Sequence, residues 1–223
     1  MCGRSSLHDA PVNILERFSI PPVLPGFRPR YNIAPSQEQL TISMEEGKPA
    51  VRMRRWGLIP SWAEDPAIGH RMINARSDSI AVKPAFREAF SLRRCLVVAD
   101  GYYEWTGSGK SRTPWFFHLR DNVPFAMAGL WERWDRGQVV HETCTIITTN
   151  AGQRTSRYHH RMPALLGLDA AGEWLDGSTP DRRALELIEP YDEDDLECYE
   201  VSRFVNSPNN DTPECIAPVA LLL

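Results

Sequence analysis

The chain has 223 residues, 42% of them apolar and 24% charged, with a net charge of −4 at pH 7. That size and balance suit one large domain that buries its core without disulfide staples. Five cysteines form no C-x-x-C pair, which argues against a disulfide framework or a structural zinc site and for a reducing compartment. The first 30 residues hold no apolar run of signal-peptide length, and Pro21, Pro22, Pro25 and Pro29 interrupt them. No stretch approaches the roughly 20 apolar residues of a membrane span. A cytoplasmic monomer without a membrane partner is the expectation.

The charge is unevenly divided. Residues 1–163 carry 22 Lys and Arg against 15 Asp and Glu, whereas residues 164–223 carry 3 against 14. The first part has the cationic excess that neutralising phosphates requires. The acidic run "EPYDEDDLECYE" (189–200) reads as a solvated loop or helix face.

The chain opens on "MCGR". Once Met1 is removed, Cys2 carries a free α-amine beside its thiol. An α-amine titrates at about 7.7–8.0 against about 10.4 for lysine, so it is the natural amine to attack an aldehyde near pH 7. The β-thiol of the same residue can then close a five-membered thiazolidine onto the imine. The competing reading is a small residue tolerated at position two.

Residues 10–20 have a short helical pattern ahead of the proline-rich loop. Residues 39–44, 50–59, 93–100, 113–120, 123–134 and 139–150 read as strands, rich in Val, Ile, Thr and aromatics. A short helix is expected over 82–91, and two more over 169–177 and 179–190, with Asp169 and Thr179 as caps and Pro180 in a first turn. Strands dominate, and no Gly-rich phosphate loop follows an early strand. The predicted fold is α+β: a single domain over 1–223 with a curved, largely antiparallel, barrel-like β-sheet and flanking short helices, the acidic part 164–223 packed onto it.

Several segments carry chemistry. In "RYNIAPSQ" (30–37), Pro35 closes a turn-prone loop. In "RRWGLIPSW" (54–62), Trp56 reads as core, while Trp62 follows a Pro-Ser exit beside arginines and suits stacking on single-stranded or kinked DNA. In "MINARSDS" (72–79), Asn74 and Arg76 share one side of an extended segment. The amide can orient an amine or a sugar oxygen, and the guanidinium can hold a phosphate bidentately; an Asx turn with a surface arginine fits equally. In "VVADGYYEW" (97–105), Glu104 follows two tyrosines. A partly dry setting there raises a carboxyl towards neutrality, as a general acid/base needs; a solvent-facing strand glutamate is the alternative. In "RYHHRMP" (157–163), His159 can move protons near pH 7. On a strand, His159 and His160 face opposite ways, so only one reaches a site. Metal binding is a weak alternative for them. Cys95 and Cys144 read as core thiols.

Taken in order, "MCGR", "RYNIAPSQ", "RWGLIPSW", "INAR", "DGYYEW" and "HHRMP", with "VSRFVNSPNND" and "CIAP" near the end, resemble the SRAP family, the SOS response-associated peptidases. The resemblance covers nearly the whole chain. It implies a positively charged DNA channel and a covalent bond between Cys2 and the ring-opened aldehyde of an abasic site in single-stranded DNA, with no cofactor and no metal. By residue match, Asn74 positions the N-terminus, Glu104 acts as general acid/base, and His159 assists proton transfer in ring opening and crosslink reversal. Arg4 and Arg76 hold flanking phosphates, Arg161 joins the DNA contacts, and Trp62 and Pro35 line the DNA path. The resemblance also implies β-elimination at abasic sites and autoproteolytic removal of Met1. Two positions depart from the family pattern: His160 stands where Asp is frequent, and Asp78 where a spaced Glu often follows "NAR". A thiol peptidase with an N-terminal nucleophile and a non-catalytic single-strand binder are the rival readings.

Overall fold

The computed structural model describes residues 2–21, 24, 26–191 and 193–219. Met1, Pro22, Pro25 and Asp192, all used in the sequence reading, lie outside them. The described residues form β1 (Ser5–Leu7), α1 (Val12–Arg17), β2 (Arg30–Ile33), β3 (Glu38–Glu45), β4 (Lys48–Trp56), β5 (Asn74–Arg76), α2 (Arg87–Leu92), β6 (Arg94–Ala99), β7 (Gly101–Thr106), β8 (Thr113–Leu119), β9 (Phe125–Arg136), β10 (Val139–Asn150), β11 (Arg161–Pro163), β12 (Leu165–Leu166), α3 (Leu168–Leu175), α4 (Asp181–Leu187) and β13 (Leu196–Glu200). No helix among them is long and apolar enough to cross a membrane.

Five strands close into a barrel. β3 and β4 form an antiparallel hairpin from Glu38↔Arg55 to Glu45↔Lys48. Antiparallel pairing then continues from β3 to β6, from β6 to β9 and from β9 to β10. A short parallel contact, Thr143↔Arg55 and Cys144↔Trp56, joins β10 back to β4. A second sheet, in the order β13-β8-β7-β1-β2, is antiparallel throughout. This is the α+β, barrel-like architecture that the sequence predicts.

The barrel strands sort their side chains by alternation. Cys95, Val97 and Ala99 of β6 pack in one cluster with Trp56, Met127 and Cys144. Leu96 and Val98 face the other way, onto a cluster that includes Phe90 of α2 and Trp174 of α3. β6 is therefore buried on both faces, which explains its unbroken apolar run. Cys2 belongs to the first cluster, with Tyr102 and Phe117. The beginning of the chain thus inserts between the barrel and the second sheet.

Several expectations need correction. Thr179 and Asp169 do not cap helices: Gly167 and Pro180 occupy those positions. The Thr179 hydroxyl instead donates to the Glu173 carbonyl at 2.7 Å, tying the end of α3 to the start of α4. The acidic run is not a solvated loop or helix face throughout; its second half is β13, paired with β8 from Leu196↔Leu119 to Glu200↔Trp115. Buried Leu196 anchors that strand, and Arg120 takes up Glu197 at 2.9 Å. Strands β1, β2 and β5 are also additions to the sequence reading. They are three or four residues long, and β1 has polar residues facing inward. Ser5 and Ser6 are fully buried because each hydroxyl is paired: Gln39 Nε2 donates to Ser5 Oγ (2.8 Å) and Ser6 Oγ donates to Asp100 (2.5 Å).

Asp100 occupies the turn between β6 and β7 and is 2% exposed. Besides Ser6, it accepts from the backbone N–H groups of His8 and Asp9, so it clamps the exit of β1. Next to it, Gly101 lies against Phe116: a Cβ at this position would stand 2.1 Å from that ring. Phe116 is itself buried and cannot swing away. Gly101→Ala is expected to destabilise the protein by about 1–3 kcal/mol through overpacking, read as a lower denaturation midpoint. An unchanged midpoint would show that the ring has room to move.

Candidate functional site

The register of β1 on β7 builds the site. Ser5 pairs with Tyr102 and Ser6 with Gly101, and Tyr103 N–H donates to the Arg4 carbonyl at 3.0 Å. Continuing the register sets the Cys2–Gly3 segment beside Glu104. Cys2 has no exposed surface. Burial first, and the neighbouring Glu104 second, push its thiol well above the ordinary range, so it is protonated at neutral pH. Glu104 is 4% exposed, and burial raises its carboxyl to about 7. The dry aromatic setting inferred from "GYYEW" is present.

Asn74 comes from the barrel side. β5 runs parallel to β10, with Ile146↔Asn74 and Thr148↔Arg76. Ala75 is fully buried between them, so Asn74 and Arg76 share the opposite side, as their spacing predicts. Asn74 Nδ2 donates to the Cys2 carbonyl at 2.7 Å. Its Oδ1 is buried and meets no donor among the described residues. The amide therefore fixes the Cys2 backbone and keeps an unused acceptor beside it.

β11 flanks the same end of β10, with Thr148↔Pro163 and Asn150↔Arg161. His159 precedes β11 and is half-buried. Its Nδ1 accepts from the Arg161 N–H at 3.0 Å, which leaves the proton of the neutral ring on Nε2. Burial holds its pKa below the ordinary histidine value. The expectation that His159 and His160 face opposite ways is overturned: they lie in a bend, not on a strand, and their rings stack at 4.3 Å with 27° between planes.

The arginines differ among themselves. Arg4 is half-buried, its Nη1 donating to Asn32 Oδ1 (2.5 Å) and to the Val205 carbonyl (2.8 Å). Its guanidinium lies 5.7 Å from the centre of the Trp105 ring. Arg76 is exposed and paired with Asp78 at 2.6 Å. Arg161 is 2% exposed. Its head group turns inward to Asn150 Oδ1 (2.8 Å), the Thr148 carbonyl and Ser77 Oγ (3.5 Å). An open phosphate contact at Arg161, as the sequence reading has it, is not what this geometry presents.

Trp62 is 54% exposed on a pinned backbone. Arg136 donates to its carbonyl at 3.2 Å, and Trp134 Nε1 holds the next carbonyl, of Ala63, at 2.7 Å. Pro35 is half-buried on the neighbouring loop, which Ser36 ties to His70 at 3.2 Å. The sequence reading missed Asn32. It is fully buried, and its Nδ2 lies 2.6–3.1 Å from the carbonyls of Val205, Ser207 and Asn210. Trp105 joins it by donating Nε1 to Asn206 Oδ1 at 2.8 Å. The one available signal was the position of Asn32 and Trp105 inside "RYNIAP" and "GYYEW".

Comparison with known proteins identifies the family. The profile described as SOS response associated peptidase (SRAP) matches residues 1–208. The abasic site processing protein YoqW of Bacillus subtilis (strain 168) is 42% identical over 222 residues, covering 97% of this chain and 99% of that protein. The abasic site processing protein HMCES of Gallus gallus is 34% identical over 229 residues, covering 87% of this chain and 68% of that protein. A crystal structure of a protein from Bacteroides thetaiotaomicron superposes with a TM-score of 0.87 at 28% identity, covering 98% of this chain and all of that one. The chain belongs to the SOS response associated peptidase (SRAP) family.

Proposed function

We propose that this chain processes abasic sites in DNA by capturing the ring-opened aldehyde on Cys2 once Met1 has been removed. The observation that carries the reading is the 2.7 Å bond from Asn74 to the Cys2 carbonyl, beside a Glu104 that titrates near 7. The names of the relatives agree with it. The chain acts as a single domain over its length, with the α3–β13 part packed onto the barrel and the second sheet.

The chemistry follows from the protonation states. A thiol held protonated by burial is a poor first nucleophile, so the α-amine of Cys2 attacks first. Protonated Glu104 assists opening of the sugar ring and loss of water from the carbinolamine; the products are an iminium, whose nitrogen keeps its proton, an ionised Glu104 and one water. Glu104, now ionised, draws the proton from the Cys2 thiol as sulfur bonds to the imine carbon. That proton returns Glu104 to its acid form, the ring nitrogen keeps the iminium proton, and a neutral thiazolidine results. Asn74 Oδ1 is the acceptor that orients the amine. His159, with its Nε2 proton free to donate, serves the sugar hydroxyl in opening and in reversal. An imine formed without ring closure is the entry to β-elimination, which gives the lyase activity. Arg4 and Arg76 bind backbone phosphates of single-stranded DNA, and Trp62 and Pro35 guide the strand. The acid-locked thiol disfavours a general thiol peptidase, which needs a thiolate or an adjacent base that produces one.

Mixing the purified chain with abasic single-stranded DNA should give an adduct that survives denaturant, with a mass equal to the sum of the two less one water. Cys2→Ala keeps the amine but cannot close the ring; its adduct should appear only after borohydride reduction of the imine. A full-strength, unreduced adduct in that variant would sink the assignment.

Glu104 also makes a pH prediction. Its folded pKa lies above its unfolded value of about 4.5, so the folded state binds the extra proton between roughly 4.5 and 7. Stability falls as pH rises through that window, by up to about 3 kcal/mol. Glu104→Gln should therefore melt higher than the parent at pH 8 and the same at pH 4. The same variant should slow adduct formation by about 10²–10⁴-fold and lose the rate dependence centred near pH 7. A variant that is no more stable at pH 8, or that reacts at full rate, contradicts the assignment.

A further inference from the structure

In the proposed function Arg76 binds a backbone phosphate, and Arg76 and the inward-turned Arg161 already face the same carboxylate. Asp78 accepts from Arg76 through Nη2 at 2.6 Å and Nε at 3.2–3.3 Å. It lies 3.5 Å from Arg161 Nη1. The Asp78 carboxylate thus occupies the space between two guanidinium groups, with both of its oxygens engaged.

We propose that Asp78 is an internal stand-in for a DNA phosphate: a displaceable carboxylate that fills the phosphate place on Arg76 and is expelled when the strand enters, so that it sets the strength and salt dependence of binding. The inference rests on the proposed function, because it takes Arg76 as a phosphate ligand.

Four features carry it. First, a carboxylate and a phosphate offer a guanidinium the same pair of oxygens in nearly the same plane, so one occupies the place of the other. Second, the pair is easily opened. Arg76 and Asp78 side chains are 49% and 48% exposed, and exposed pairs of this kind are weak. Third, the local backbone brings the acid back onto the arginine. Ser77 N–H bonds to the Thr148 carbonyl at 2.9 Å and Ser79 N–H to the Arg76 carbonyl at 3.1 Å, a tight turn that carries Asp78 back over the end of β5. Fourth, Arg161 Nη1 lies 3.5 Å from the carboxylate, so an anion seated on Arg76 also faces a second, almost wholly buried cation. Arg76 holds the Asp78 carboxyl below the ordinary carboxylate range, so the stand-in is ionised wherever DNA is. While it is seated, Arg76 presents no net charge to a strand. Asp78 also follows Asn74, whose amide fixes Cys2, by four residues, so its release and the arrival of the lesion act on one short segment.

The test uses the full chain and a single-stranded oligonucleotide carrying a tetrahydrofuran abasic analogue, which has no aldehyde and cannot crosslink. Affinity is measured over a salt series for the parent, Asp78→Asn, Asp78→Ala, Arg76→Gln and the Asp78→Asn/Arg76→Gln pair. Asp78→Asn and Asp78→Ala should each bind about three- to fivefold more tightly near 0.1 M salt, the range an exposed ion pair commands. Their log affinity should fall more steeply with log salt, by about 0.7, one further single-strand phosphate. The gain should vanish in the Arg76→Gln background, as a double-mutant cycle requires of coupled groups. Asp78 variants that bind more weakly would make the carboxylate a brace for Arg76 and overturn the inference; unchanged affinity overturns it as well. If Arg76→Gln itself binds as tightly as the parent, the phosphate role of Arg76 falls, and the inference falls with it. Equal melting temperatures of the Asp78→Asn variant and the parent exclude a folding artefact.

Discussion

The pairing of β1 with β7 is the constraint on which the site depends. Two pairs, Ser5↔Tyr102 and Ser6↔Gly101, carry it, and they are held from both ends. Asp100 clamps the exit, and Ser5 is tied to Gln39 of the barrel. With that register fixed, Cys2 has nowhere to go except between the two sheets, where Asn74 meets its carbonyl and Glu104 shares its dry surroundings. A slip by one residue would turn Cys2 to the other face of the strand and separate it from the carboxyl.

Burial then does two things to the same pair. It raises the Cys2 thiol and the Glu104 carboxyl together, because each charged form loses its water. The result is a thiol that waits and a carboxyl that is half-ionised near neutrality. In the proposed reaction this orders the steps in time: amine before sulfur, acid before base. The polar partners that surround this core, Asn32, Asn74 and Asp100, are all amide or carboxylate groups that bond to backbone, and such groups specify a geometry more than they add stability.

Much of this was legible in the sequence because apolar alternation is a strong signal. The long barrel strands, the double burial of β6 and the dry setting of Glu104 follow from Val-, Ile- and aromatic-rich runs. The shared side of Asn74 and Arg76 follows from their spacing alone. The short strands did not show, since Ser5, Ser6 and Asn32 are polar residues made internal by partners far away in the chain. For the same reason, the sequence gives no sign that Arg161 turns inward: its acceptors, Asn150, Thr148 and Ser77, converge only after β5 and β11 have flanked β10. His159 and His160 were misjudged because a bend, unlike a strand, lets adjacent rings stack. The helix caps failed at Asp169 and Thr179 because tertiary bonds claimed Thr179 and because helix α3 starts one residue earlier than its first acid.

Residues 205–211 lie almost at the far end of the chain, yet they close over its beginning: the Val205 carbonyl holds Arg4, Asn32 gathers the carbonyls around it, and the Asp211 carboxylate accepts from the backbone of Tyr31 and Asn32. During synthesis the Cys2 segment emerges long before these partners. The pocket around Cys2 is consequently complete only once residues 205–211 have joined it, and a polypeptide terminated before them carries Cys2 without the framework that holds its segment.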